Sequence, residues 1–307
     1  MRLYVAPLQG YTGSAWRRFH SEIYGPVAEA YISPFVRVEK GEPRRRDLRD
    51  IAPDDCTGYR LVPQIIFRNM DEFNILADAV CSLGYREIDL NMGCPFPLQT
   101  GKGRGAAMVG RGDLLEEIAR EMENRRDVTF SVKMRLGMEN PDEWKGIAGT
   151  LNSMPLSHIT VHPRTAMQGY GGELHLESFG EFLDCSRHPV IFNGELHSPA
   201  DCIAVGRRFP TVAGVMIGRG LLTRPSLAAE IATGEEWDRD RRIAHILSFH
   251  RDLSAYARER YCGESQILSM LKPFWDYLEP EIGRKVAKRI RKAGSLRSYG
   301  TAVSEVR

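Results

Sequence analysis

Short apolar, β-rich runs closed by turn residues recur along the chain: Leu3–Ala6, Ala28–Ile32, Val62–Ile66, Glu87–Leu90, Thr129–Met134, His158–Val161, Val190–Phe192 and Gly214–Ile217. Between them the spacing turns helical, as in Asp71–Leu83, Asp113–Arg125 and Ser198–Phe209, each opened by an Asp or Ser suited to N-capping. Strands that are apolar nearly throughout belong to a parallel sheet covered on both faces. Eight strand-then-helix units predict an α/β fold, a closed (β/α)8 TIM barrel. An open doubly wound sheet is the competitor, but no G-x-G-x-x-G follows the first strand.

From about Arg239 the strand signals stop. Ile243–Tyr261, Ser265–Leu278 and Ile282–Ala293 read as helices joined by Gly263, Pro280 and Gly294. The expected division is a barrel over residues 1–238 and a small C-terminal helical bundle over 239–307.

Composition narrows the class. With 307 residues, 42% hydrophobic and 27% charged at a net +2, the chain can bury a real core and is not of the disordered type. No apolar run is long enough to span a bilayer. Met1 to Pro7 lacks the apolar stretch and cleavage site of a signal peptide and reads as a strand, so a cytoplasmic protein is expected. Residues 241–307 carry 14 Lys/Arg against 7 Asp/Glu, a net +7, while residues 1–240 come to −5. The tail is thus a basic appendage on a mildly acidic body. Six cysteines, Cys56, Cys81, Cys94, Cys185, Cys202 and Cys262, form no C-x-x-C and no cluster with histidine. They are expected to be reduced thiols, and no metal is expected.

In a barrel of this kind the chemistry collects where strands run out at their C-terminal ends. Those positions hold Pro7-Leu8-Gln9, Ser33 to Arg37, Gln64, Asn91 to Pro95, Lys133 with Arg135, His162 with Arg164, Asn193-Gly194-Glu195 and Gly218-Arg219-Gly220. Gln64, Lys133 and Arg135 lie in or beside apolar runs, where an unpaired charge costs several kcal/mol. They require an anionic or hydrogen-bonding partner inside the barrel mouth. The glycine turns at 193–195 and 218–220 occupy the two loops that bind phosphate in such barrels, with Arg219 beside them. Lys133 suits an ion pair, a Schiff base or a cation over the electron-rich end of a flavin. His162 is either a satisfied core histidine or a group facing the site. Cys94 follows a strand end between Gly93 and Pro95 and precedes the glycine-rich, basic Leu98 to Ala107 segment, which reads as a loop able to move and to meet a phosphate backbone. A thiol delivered there is a candidate proton donor.

These motifs resemble the tRNA-dihydrouridine synthases. The likeness rests on Ala6-Pro7-Leu8-Gln9-Gly10, Asp89 to Pro95, Val132-Lys133-Met134-Arg135-Leu136-Gly137, Val161 to Thr165 with Gln168-Gly169-Tyr170, Asn193-Gly194-Glu195 and Val215 to Gly220. It implies FMN as cofactor, with Pro7, Leu8, Gln9 and Gln64 against the ring, Lys133 and His162 beside it, and Asn193, Gly194, Glu195, Gly218 and Arg219 at the phosphate. It further implies NADPH as reductant, hydride transfer from the flavin N5 to C6 of a uracil in tRNA, and Cys94 as the acid that protonates C5. The target base must then be turned out of the tRNA fold, with Asn91 and Arg135 placed to contact the base or its sugar and phosphate. Leu8, Pro163 and Ile65-Ile66-Phe67-Arg68 depart from the family's usual Met, Gly and Leu-x-Gly, changes of packing and loop shape rather than of a reacting group.

Phe35-Val36-Arg37-Val38, the Asn193 turn and Lys272 resemble the C-type bacterial branch, which acts on U16 of the D-loop and whose tRNA-contacting positions Arg37 and Lys272 match. Arg284, Lys288 and Arg291 recur at helical spacing, with Lys285, Arg289 and Lys292 widening the stripe, and suit a phosphate backbone. A monomer is expected. Two other functions compete: an FMN barrel oxidoreductase acting on a free pyrimidine, which would not need the basic tail, and a catalytically silent tRNA-binding protein, which would not need Cys94, Lys133 and His162.

Overall fold

The computed structural model describes all 307 residues. Eleven strands form one sheet: β1 (Arg2–Val5), β2 (Ala30–Ile32), β3 (Val36–Glu39), β4 (Glu42–Pro43), β5 (Leu61–Val62), β6 (Gln64–Ile66), β7 (Glu87–Met92), β8 (Thr129–Gly137), β9 (Leu156–Thr165), β10 (Val190–Phe192) and β11 (Gly214–Ile217). Pairing runs β4-β3-β6-β7-β8-β9-β10-β11-β1-β2-β5, parallel throughout except for the β3–β4 hairpin. Only Pro63 separates β5 from β6. The first half of this one bent strand pairs with β2 and the second half with β7, so the sheet closes on itself as the expected (β/α)8 barrel.

Alternation along the strands sorts the residues into two sets. Leu3 and Val5, Leu61 and Ile65, Ile88 and Leu90, Val132 and Met134, Ile159 and Val161, and Val215 and Ile217 face outward into a continuous core of 68 buried residues beneath the helices. A smaller group, Tyr4, Ala6, Ala30, Ile32, Val62, Ile191 and Met216, packs apart from it and fills the inside of the barrel. The remaining alternate positions, Gln64, Asp89, Asn91, Ser131, Lys133, Arg135, Thr160 and His162, are polar. This is why charged and amide groups interrupt otherwise apolar strands.

Several boundaries differ from those read in the sequence. β8 and β9 extend through Arg135 and Arg164, which therefore sit on strands rather than in loops. The stretch around Arg37 is a strand continuing from β2 past Pro34, because Val36 and Arg37 pair with Ile65 and Ile66. The helix expected from Asp71 begins at Met70 and is capped by Asn69, whose side chain accepts the Glu72 N–H at 3.0 Å, whereas Ser198 is a true cap with a reciprocal bond to Asp201.

The tail begins with helix Arg239–Arg260, capped by Asp238. It lies on the first barrel helix, Ser14–Tyr24, through Trp16, His20 and Tyr24 against the fully buried Phe249. Instead of one helix over 265–278 there are Glu264–Leu271, a tight 3-10 turn at Lys272–Trp275 forced by Pro273, and the single turn Glu279–Ile282. The basic helix is Arg284–Lys292, and a further one, Leu296–Val303, follows with Ser295 as its cap. Tyr11, in the loop after β1, packs edge-on against Tyr277 and donates to Asp276 at 3.4 Å, so the tail walls one side of the barrel mouth. No helix is long and apolar enough to cross a membrane.

Candidate active site

A cleft opens at the C-terminal ends of the strands. It is lined by Pro7, Leu8, Gln9, Gln64, Asn91, Cys94, Lys133, Arg135, His162, Asn193, Gly194, Glu195, Gly218 and Arg219, which come from seven segments spread over more than 200 residues of sequence. The fold thus brings together all of the cofactor-facing candidates with Cys94, Asn91 and Arg135. Arg37 lies on β3 with its Nε 4.0 Å from Asp47, Lys272 opens the 3-10 turn, and Arg284, Lys288 and Arg291 are exposed on the basic helix. None of these five lines the cleft.

A chain of hydrogen bonds runs up the inner wall to Cys94. Ser131 donates to Asp89 at 2.6 Å, Gln64 Nε2 donates to the other Asp89 oxygen at 2.6 Å, Asn91 Nδ2 donates to Gln64 Oε1 at 2.7 Å, and the Cys94 N–H donates to Asn91 Oδ1 at 2.9 Å. An ionised carboxylate only accepts, so Asp89 fixes the direction of both amides above it. Burial raises Asp89 to about 6 against the hydrogen bonds from Gln64 and Ser131, which leaves it ionised at neutral pH. Burial also raises the Cys94 thiol above its ordinary value, opposed by the Phe96 N–H and the charges of Arg135 and Lys133. The thiol therefore keeps its proton at neutral pH.

The other wall is cationic. Burial and then Arg135 lower Lys133 to about 8, and burial first brings Arg135 to about 10; both stay charged at neutral pH. Burial together with Arg135, Lys133, Arg164 and Arg219 pushes His162 well below its ordinary range, so the imidazole is neutral. Arg135 is anchored to the carbonyls of Gly93 (3.1 Å) and Thr165 (2.7 Å) and ties the β7 and β9 loops together. Glu195 is the one lining carboxylate, and it is spent: Oε1 lies 2.6 Å from both Arg164 and Arg219, and Oε2 lies 3.0 Å from His197. Burial pushes Glu195 up, but hydrogen bonds from His197 and Arg164 and the Arg219 charge outweigh it and hold the group at about 2. Its φ of 45° is a left-handed conformation that the three partners maintain.

Beside Arg219 the N–H groups of Gly194, Glu195 and Gly218 have no acceptor within the chain. A Cβ at Gly194 would come within 3.2 Å of Leu174 and one at Gly218 within 3.4 Å of Ala6, so bare backbone is presented there. The Asn193 side chain is committed to the Met216 carbonyl at 2.7 Å and braces β10 against β11. The site offers polar donors and a positive field, which suit the ring edge and phosphate of a flavin.

Some lining and supporting groups were given no site role in the sequence reading, although Pro34, Phe35 and Arg164 stood among its strand-end positions. The ring of Tyr170, half exposed, sits under Arg219 (4.5 Å) and Arg135 (5.6 Å). It belongs to a motif already noted, but nothing local marks it as a cleft residue. Pro34 and Phe35 line the cleft because β2 bends there. Asp89 and the buried Arg164 act from behind the lining; polar residues two apart along an apolar strand are the signal that could have found Asp89.

The dihydrouridine synthase family model matches residues 4–297. The tRNA-dihydrouridine(16) synthase of Pseudomonas putida is 29% identical over 99% of this chain and 90% of its own length, and that of Aquipseudomonas alcaligenes is 31% identical over 77% and 78%. Among solved structures, morphinone reductase shares the fold, with a TM-score of 0.52 at 13% identity over 77% of this chain and 87% of its own. A family match from the first strand to the last helix, on a barrel with this cleft, establishes that the chain belongs to the dihydrouridine synthase family.

Proposed function

We propose that this chain is an FMN-dependent enzyme that uses NADPH to reduce U16 in the D-loop of tRNA to 5,6-dihydrouridine. The main support is a thiol, Cys94, kept protonated by burial at the rim of a cleft whose other wall is cationic. FMN held in this cleft would supply the hydride for C6 of the uracil. Gly194, Glu195 and Gly218 offer N–H donors to its phosphate together with Arg219, while Pro7, Leu8, Gln9 and Gln64 border the ring. Lys133 and Arg135 stabilise negative charge that develops in the cleft, and neutral His162 adds polarity without a competing charge. Cys94 gives its proton to C5, positioned by Asn91.

The exposed cations of helix Arg284–Lys292 favour tRNA over a free pyrimidine. Arg291 pairs with Glu279 and Arg289 with Glu305, whereas Arg284, Lys285 and Lys288 are in no ion pair and remain available to phosphates. Position 16 follows the activity for which the Pseudomonas putida and Aquipseudomonas alcaligenes relatives are named.

The test is mass-spectrometric nucleoside mapping of tRNA from cells lacking the protein, complemented with wild type or Cys94→Ala. Dihydrouridine at position 16 should vanish and return only with wild type. Unchanged tRNA from the deletion strain would sink the reading.

A further inference from the structure

The segment after Cys94 is tied down rather than free. It folds back so that the Ala106 N–H donates to the Cys94 carbonyl at 3.1 Å, and Gly105 makes the close approach possible: at its φ of +62° an added Cβ would lie 2.6 Å from the Cys94 oxygen. The residue before it, Arg104, is buried, only 5% exposed. Its guanidinium grips the equally buried Glu72 with both arms, Nε at 2.9 Å and Nη2 at 2.6 Å, and Nη2 also reaches the Val38 carbonyl at 3.3 Å. Glu72 is held in turn in the first turn of helix Met70–Ser82 and accepts the Arg68 backbone N–H at 3.2 Å.

We infer that Arg104 is a positioning residue for the thiol of Cys94. It does not line the cleft. It acts through Gly105 and Ala106, clamping the returning arm of the loop between the helix after β6 and β3, so that the Cys94 carbonyl is held from below while Asn91 holds its N–H from the strand side. A bidentate pair between two buried partners has one geometry, unlike a surface pair that samples many. Truncation leaves Glu72 with only Arg68 and frees the loop; misplacing a reacting group by about 1 Å costs roughly 100-fold in rate.

This inference rests on the reading of Cys94 as the acid, and the experiment separates the two. Flavin-loaded wild type, Arg104→Ala, Arg104→Lys and Glu72→Gln are compared in the two half-reactions by stopped flow, and Cys94 alkylation by iodoacetamide is followed by peptide mass spectrometry. Expected are a fall of roughly 10- to 100-fold in single-turnover uridine reduction for Arg104→Ala and Glu72→Gln, a smaller one for Arg104→Lys, reduction by NADPH within about twofold of wild type, and faster Cys94 alkylation. Equal losses in both half-reactions, or no loss in either, overturn the inference. Should Arg104→Ala fail to fold, Arg104→Lys and Glu72→Gln must still show the split. If wild type accepts electrons from NADPH but reduces no uridine, the function reading fails; unaltered Cys94 alkylation in the variants then overturns this inference as well.

Discussion

Asn91 Oδ1 accepts the backbone N–H of Cys94 at 2.9 Å while Asn91 Nδ2 donates to Gln64 at 2.7 Å, so one side chain joins the reactive loop to the barrel's inner wall. Replacing it separates these functions. Asn91→Ala should lower single-turnover uridine reduction by roughly 100-fold. Asn91→Asp keeps the acceptor for Cys94 but places a carboxylate against Gln64 Oε1, and should recover less than a tenth of the loss. Flavin content, read from the absorption spectrum, should stay near wild type in both.

Lys133 sets an alkaline limit. Its pKa in the fold, about 8, lies below the ordinary 10.5, so charging it opposes folding of the cofactor-free protein fully below pH 8. That penalty fades as pH rises from about 8 to 10.5. Lys133→Met should therefore stabilise the apoprotein at pH 7, by about 2 kcal/mol in urea unfolding, and lose its advantage by pH 10. Anion binding has the opposite trend: FMN affinity of wild type should weaken above pH 8, and the substitution should flatten that limb.

Glu195 acts at the other end of the scale. Its folded pKa of about 2 is below the ordinary 4.5, so its stabilisation is present above about pH 4.5 and is lost as pH falls toward 2. Glu195→Gln strips the buried Arg164 of its carboxylate and should lower stability by about 1 kcal/mol at pH 7, a modest figure because Glu195 is partly solvated. Thermal unfolding from pH 7 to 3 should show wild type and variant converging.

Gly220 packs where no side chain fits, since a Cβ would stand 2.0 Å from the Leu196 carbonyl. Gly220→Ala must push the turn after β11 away from the one after β10 and spread the donors at Gly194 and Gly218. The purified variant should lose most of its flavin on gel filtration while its circular dichroism stays close to wild type.

The basic helix predicts a salt effect. Replacing Arg284 and Lys288 together by Gln should weaken binding to unmodified tRNA and reduce the slope of log affinity against log salt by about 2, with flavin reduction by NADPH unaffected. An unchanged slope in fluorescence anisotropy would show that these side chains lie off the tRNA path.

Much of this protein is legible in its chain. Eight apolar runs separated by helical spacing specify a parallel sheet covered on both faces, and their number, with no G-x-G-x-x-G after the first, favours the barrel over an open sheet. The barrel then dictates that strand ends meet, which is why Gln64, Lys133, His162 and Asn193 could be grouped from one dimension. What remained invisible depends on pairings between distant segments. β3 needed Ile65 and Ile66 to become a strand, Asp89 gained its role from Gln64 and Ser131, and Arg104 found Glu72 across 32 positions. A guanidinium in a glycine-rich loop reads as a solvated phosphate contact until the chain folds it inward. Local periodicity records which face of an element is buried; the partner of a buried charge is chosen only when the elements pack, because Coulomb attraction and desolvation depend on distances that sequence separation does not encode.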